Sequence, residues 1–293
     1  MLRRGLLAIL ICSTIAACAS MLGVDDVSYR GADTADAASE SGSDAARGCV
    51  GGWDAAGAKG GAVSFNATSY LKSDFTLSFN TDNAHTFSYW FYISRAPSVE
   101  DMCLLCNADD WTSGATGVNT LVQTDGTWVA SVNRMFSHTV DIPSPHPVVA
   151  LGTWHFAVAI LTNNATIEGY FDGNYLGSTS NPVGAGNNYA THMWIGNLPP
   201  AVGNPGVGQN RFTGYIDQVS IFSSALIRSE IATLYNCGNG LKYSSWGDAL
   251  QAKATSVWDL DEGAGAQVSD ATGHASTATL TGGPAWTTGI VPR

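Results

Sequence analysis

The chain is short of charge. Only 13% of its 293 residues are Asp, Glu, Lys or Arg, and 13 cations against 24 carboxylates leave a net charge of −11. Nucleic acids are held by clustered Lys and Arg on their phosphates, so this balance argues against a nucleic-acid partner. It says little about sugars or metal cations, and surplus carboxylates also simply keep a protein soluble. The chain also lacks a nucleophile elbow, a phosphate loop and a dinucleotide fingerprint. Gly203 to Gly208 is glycine-rich but without the Lys and Ser of a phosphate loop, and reads as a long loop. Sustained helical periodicity is missing until near the end. With 33 Gly and 10% aromatics, that scarcity favours strands over helices. One large β domain is compatible with the length, since sandwiches reach roughly 200–250 residues as single domains.

The one long apolar run is N-terminal. In MLRRGLLAILICSTIAACAS, Arg3 and Arg4 precede Leu6 to Ile15 and then small residues, the pattern of a secretory signal and too short for a comfortable span. Ile15-Ala16-Ala17-Cys18 resembles a bacterial lipobox. The resemblance implies cleavage after residue 17 and lipidation of Cys18, and Ala19 behind it implies sorting to the outer membrane. Several acyl chains on one Cys anchor stably where one does not. The stretch 18–47, rich in Ala, Ser, Gly and Asp, cannot bury enough apolar surface to offset its ordering entropy and is expected to be a flexible tether. The folded part is expected at 48–293.

Six cysteines are few for such a chain. With Cys12 in the signal and Cys18 lipidated, Cys49, Cys103, Cys106 and Cys237 remain, an even number in an oxidising compartment, with three connectivities open. Cys103-Leu-Leu-Cys106 reads as a strand. Three strand steps span about 10 Å, beyond the ~7 Å a disulfide tolerates, so these two are expected to pair elsewhere or stay free. The six scattered His do not make a zinc site.

Alternation recurs in short bursts. His85 to Ile93 puts Phe87, Tyr89, Phe91 and Ile93 on one face and Thr86, Ser88, Trp90 and Tyr92 on the other. Trp154 to Ile160 puts Trp154, Phe156, Val158 and Ile160 opposite His155, Ala157 and Ala159. Thr166 to Phe171, Asp172-Gly173-Asn174 and Tyr175 to Thr179 read as a hairpin. Further strands are expected at 121–123, 127–134, 193–196 and 211–222. A single short helix is expected over Arg228 to Asn236, where Ile231, Leu234 and Tyr235 share a face, with Gly238 as its stop. Many short strands and one helix predict an all-β, two-sheet antiparallel jelly-roll sandwich.

The segments Ala62-Val-Ser-Phe-Asn-Ala-Thr-Ser-Tyr-Leu71, Thr86-Phe-Ser-Tyr-Trp-Phe91, Gly152-Thr-Trp-His-Phe-Ala-Val158, Gly169-Tyr-Phe-Asp-Gly-Asn-Tyr-Leu-Gly177, Met193-Trp-Ile-Gly196, Phe212 to Ile221 and Glu230 to Tyr235 follow one another in a familiar order. The order resembles the laminin-G-like jelly roll of the concanavalin A-like lectin/glucanase superfamily. Two departures stand out. Ile227 occupies the place of a capping Ser, so the capping box is broken. The usual opening strand is absent before Ala62, and its counterpart, Ser256-Val-Trp-Asp-Leu-Asp-Glu262 with Asp270-Ala-Thr-Gly273 and Leu280-Thr-Gly-Gly283, comes at the other end of the chain. The expectation is a circularly permuted jelly roll in which 255–291 supplies the missing strands. A sandwich without its partner strand would show an open, aggregation-prone edge, and termini of compact domains often lie close together.

The carboxylates Asp259, Asp261 and Glu262 then have a structural role. Acid/base catalysis needs two carboxyls at a defined separation across one bond, and the Glu-x-Asp-x-x-Glu of related glycosidases is missing here. The resemblance implies calcium as a cofactor, since hard cations want oxygen ligands. Asp270 and Asp217 are the candidate metal ligands, against the plainer readings of a turn-closing and a buried strand-end carboxylate. Candidate ligand-binding aromatics are Trp111 and Tyr189 on loops, and Trp90 and Tyr92, which with Tyr170 and Trp194 could line a curved sheet face. The function expected is a lipid-anchored surface module, non-catalytic, binding a glycan or an extracellular or envelope protein in adhesion. The alternative is a glycoside hydrolase or polysaccharide lyase of the same fold.

Overall fold

The computed structural model describes residues 61–77, 84–107, 117–134, 138–162, 166–180, 191–197, 212–274 and 276–288. The chain divides into two units, Met1–Gly48 and Cys49–Arg293, and every described residue belongs to the second. Cys18 and the signal and tether expected at 1–47 therefore lie outside the described residues, as do Trp111, Tyr189 and Cys49.

Sixteen strands are described: β1 (Gly61–Phe65), β2 (Tyr70–Leu77), β3 (His85–Tyr92), β4 (Met102–Cys106), β5 (Gly117–Val122), β6 (Trp128–Arg134), β7 (His138–Asp141), β8 (Trp154–Thr162), β9 (Thr166–Phe171), β10 (Asn174–Ser180), β11 (Thr191–Ile195), β12 (Gly214–Phe222), β13 (Ala254–Trp258), β14 (Gln267–Val268), β15 (Ala278–Thr281) and β16 (Ala285–Thr288). One sheet, here the front, runs β10-β9-β8-β3-β12-β1-β16, with β13 also on β12. The back sheet runs β14-β15-β2-β11-β4-β5-β6-β7. All these pairings are antiparallel.

The sheets close on a core of Val63, Phe87, Tyr89, Phe91, Trp128 and Trp258 with their aliphatic neighbours. Within it, Trp128 Nε1 donates to Tyr89 Oη at 2.9 Å. The central strands of the front sheet, β3, β8 and β12, are buried on both faces. On β8 the small Ala157 and Ala159 look into the core, while Phe156, Val158 and Ile160 look outward under a third layer. That layer is the segment after β12, with helix α1 (Arg228–Tyr235) and a one-turn helix at Asp248–Gln251. Trp90 stacks on Tyr235 at 5.8 Å and Phe222 on Trp246 at 5.6 Å. The reciprocal half of the capping box survives, because the Glu230 carboxylate accepts the Ile227 N–H at 3.1 Å. The expected stop at Gly238 is displaced two residues upstream. Asn236 already turns left-handed at φ 45°, as Asn tolerates, and its amide donates to Gly240 O at 2.8 Å.

The C-terminal strands are integral to both sheets. β13 and β1 lie end to end along one flank of β12, through Val219↔Trp258 and Val63↔Ile216. β16 pairs with β1 and β15 with β2. Asp261 Oδ1 joins the two ends by accepting the Gly61 N–H at 2.8 Å. The β15–β16 turn passes so close to β1–β2 that a Cβ on Gly282 would stand 2.1 Å from Thr68 O, at a φ of +78°; only glycine fits there.

One sequence expectation is overturned here. Cys103 and Cys106 do form a disulfide, with Cα atoms 6.3 Å apart. The straight-strand spacing fails because the β4–β5 register shifts between Cys103 and Leu105. In this bulge Leu104 and Leu105 both enter the core, and the two cysteines are left together on the outer face. Cys237 is also disulfide-bonded.

Trp258 is fully buried and its Nε1 donates to Ser276 O at 2.8 Å. Trp258→Ala should cost about 3–5 kcal/mol, the range for emptying a buried large aromatic site. Urea unfolding followed by circular dichroism measures this. A loss under about 1 kcal/mol, the scale of surface substitutions, would show the C-terminal strands to be dispensable.

Candidate functional site

The residues of the back sheet that face away from the core form one continuous cross-strand row. The register gives Gln267↔Thr279, Thr279↔Lys72, Lys72↔Trp194, Trp194↔Cys106, Cys106↔Asn119, Asn119↔Ser131 and Ser131↔Asp141. Every strand of the sheet contributes one side chain. The inward neighbours of these residues, among them Leu71, Met193, Leu105, Val118 and Ala130, belong to the core, which fixes the row on the outer side.

The row is polar at both ends and aromatic toward the middle. Trp194 is 7% exposed and packs with Tyr70, Cys103 and Cys106 in a cluster separate from the core. Its ring meets Tyr70 edge-on at 5.3 Å, and the Lys72 ammonium stands 5.2 Å from its centroid. Asn119 beside Cys106 is 0% exposed, yet neither its Oδ1 nor its Nδ2 has a hydrogen-bond partner. A buried amide without partners costs about 1–3 kcal/mol. Ser131 carries a hydroxyl on the next strand, and at the row's end burial pushes the Asp141 carboxyl above its usual range, against the opposing charge of His146. Trp194 and the fully buried, unpartnered Asn119 amide thus stand in one row with Cys106 between them.

The other expected residues lie elsewhere. Trp90 is 2% exposed, sandwiched between Phe156 and Tyr235 on the face of the front sheet that α1 covers. Tyr170 belongs to the same covered cluster. Tyr92 is half-buried at the uncovered end of that face. Trp154 and Tyr215 lean over it from the neighbouring strands at 5.9 and 5.5 Å, so its ring packs against protein. Near that end an open cleft of about 400 Å³ is lined by Arg95, Val99, Glu100 and Thr213, with no aromatic ring among its described residues.

Asp270 closes its own turn. Its Oδ1 accepts from Val257 N, Thr272 N and Thr272 Oγ1, all within 3.0 Å. Asp217 is 0% exposed and its Oδ1 accepts the Gln218 N–H at 2.9 Å. Among the described residues no group of three or more His, Cys, Asp or Glu is placed to hold a metal ion. Asp217, Asp259 and Asp261 instead act on one another electrostatically under Lys242, whose ammonium pairs with Asp261 at 2.5 Å. Burial, then the charge of Asp261, hold the Asp217 carboxyl well above the usual range. Burial pushes Asp259 up to about 6, with the Tyr243 N–H opposing and the charge of Asp261 adding.

With this geometry in place, the molecule defines a class: a two-sheet jelly roll whose back sheet offers an outward polar and aromatic row. The chain belongs to the concanavalin A-like lectin/glucanase superfamily, in its laminin G-like branch, matched by residues 65–232, more than half of its length. No curated protein sequence matches it significantly. Among solved structures it is similar to a Bacteroides ovatus protein proposed to bind carbohydrate, at 14% identity and a TM-score of 0.53, over 80% of this chain and 61% of that one. Others are a heptameric pentraxin of Limulus polyphemus (17% identity, 62% and 84% covered, TM-score 0.47) and the fourth domain of an extracellular arabinanase of Geobacillus stearothermophilus with arabinotriose (17%, 60% and 76%, TM-score 0.45). At 14% identity the likeness to the first of these is one of fold alone.

The raised carboxyls give a signed pH dependence. Asp259 titrates near 6 in the fold and near 3.9 when unfolded. Its contribution is therefore fully present below pH ~4 and lost as pH rises through about 6; Asp217 acts in the same direction. Asp259→Asn should remove part of this slope and raise stability at neutral pH by about 1–3 kcal/mol. Urea midpoints from pH 4 to pH 8 check it, and a midpoint for the variant below wild type at neutral pH would contradict the assignment.

Proposed function

We propose that the domain binds glycans without cleaving them, on the outer face of its back sheet. The observation that carries this reading is the buried, unpartnered amide of Asn119 in line with Trp194 and Lys72. Folding has left Asn119 at a net cost. A sugar presenting neighbouring hydroxyls gives one donor to Oδ1 and one acceptor to Nδ2 and returns that cost on binding. The rings of Trp194 and Tyr70 supply apolar surface further along the row, beyond Cys106. Membership of a lectin/glucanase superfamily supports sugar chemistry in general, and function has to be argued from the site, not the fold. Against catalysis, Asp259 and Asp261 are engaged in holding the chain ends: Tyr243 N and Gly61 N donate to them, and Lys242 pairs with Asp261.

The same proposal places the domain on a bacterial surface, anchored by lipid at Cys18 and engaged in adhesion or envelope contact, with calcium as a dependence to be tested. Metabolic labelling with a palmitate analogue reads the anchor, and Cys18→Ser should abolish the label.

A glycan array with the purified chain, with and without chelator, tests the binding. Retention of a glycan whose chain length is unchanged supports the module, and shortening of the chain supports the hydrolase or lyase. Asn119→Leu separates binding from folding. Because it removes an unsatisfied buried amide at similar volume, stability should be unchanged or higher by about 1 kcal/mol, while glycan retention falls at least about tenfold. Undiminished retention by a folded Asn119→Leu protein would refute the site.

A further inference from the structure

We infer that the glycan bound on this face carries a negative charge, a carboxylate or a sulfate ester, and that Lys72 receives it. The inference rests on the glycan-binding reading above and names the ligand class for that site. The chain has four lysines, of which Lys72, Lys242 and Lys253 are described. Two are neutralised at close range: Lys242 by Asp261 and Lys253 by Glu230, each at 2.5 Å. Among the described residues Lys72 has no carboxylate partner. Its ammonium is placed over the Trp194 ring instead. In a chain where carboxylates outnumber cations 24 to 13, a lysine kept apart from them is the exception. The same-face carboxylate two residues along β2, Asp74, accepts a hydrogen bond from Thr277 Oγ1 at 2.6 Å.

The ring contact holds the ammonium without using it up. Attraction to the ring quadrupole orients the charge, while an ammonium keeps three N–H donors for other acceptors. Lys72 therefore stands in the row already aimed along it, between Thr279 and Trp194. A neutral sugar gains little from such a group. A carboxylate or sulfate gains a charge-assisted hydrogen bond, roughly twice as strong as a neutral one. The acidic surface as a whole repels polyanions, but that repulsion is screened beyond about 8 Å at physiological salt. Selection for charge thus falls on one local contact.

A plain packing role for the lysine stem is separable from this. Lys72→Met keeps an unbranched stem over Trp194 and removes only the charge; Lys72→Arg keeps the charge. The full chain and both variants are titrated with polygalacturonate, dextran sulfate and uncharged dextran, at low and at high salt, with thermal melts as the folding control. The expected result is binding of one anionic polymer in preference to dextran, weakened about tenfold in Lys72→Met and retained in Lys72→Arg, with melts unchanged. Which anionic polymer binds tells carboxylate from sulfate. Equal binding by Lys72→Met and wild type, or preference for dextran, overturns the inference and leaves the glycan site standing. Binding to none of the three, together with an empty neutral glycan array, overturns the glycan reading and this inference with it.

Discussion

The structure depends on how β12 is flanked. One side of that strand is taken by β3 along its length, and the other is divided between β1 and β13, which meet head to tail at the bond from Gly61 N to Asp261. Two segments of the chain, joined by a contact 200 residues apart in sequence, are thereby spliced into one ribbon. Without β13 the upper half of β12 would present unpaired backbone, and without β15 and β16 the edges of β2 and β1 would do the same. Unpaired strand edges recruit other chains. The splice also explains the company of Asp217, Asp259, Asp261 and Lys242. They sit where the joined ends meet, and their electrostatics are a consequence of closing the sheet.

The two sheets treat their outward side chains differently. The front sheet spends its outward aromatics, Trp90, Phe156 and Tyr170, on packing beneath α1 and its flanking segment. On the back sheet, Trp194, the Cys103–Cys106 pair and Asn119 are gathered outside the core by a single register. The bulge in β4 is what brings both cysteines to that side. It sends two consecutive leucines inward and turns the strand so that Cys106 stands between Trp194 and Asn119.

Much of this was legible from local pattern. Alternation in 85–93 and 154–160 assigns the correct residues to the correct faces, and the segments carrying the resemblance order the strands. The apolar Trp258 demands a sheet, which β13 satisfies, while Leu260 reaches the core from just past the strand's end. What local pattern cannot show is which residues become neighbours across strands. Asn119 and Ser131 look like ordinary outward positions in alternating strands, and nothing within a strand tells that they lie in line with Trp194 and Lys72. Alternation likewise says which face the Trp90 ring takes, not that Tyr235 of α1 covers it. The Cys103–Cys106 spacing argument assumed a regular rise per residue, and a one-residue bulge was enough to defeat it.

The central claim is that the unpartnered amide of Asn119 is where a sugar docks. The most direct measurement is an NMR titration of the folded chain with the glycan it retains, following the side-chain NH₂ pair of Asn119 beside the indole N–H of Trp194. The account predicts that both shift together with the same dissociation constant, and that the Asn119 amide protons become protected from exchange. Shifts confined to the Tyr92, Trp154 and Tyr215 end of the front sheet, with Asn119 and Trp194 unmoved, would contradict it.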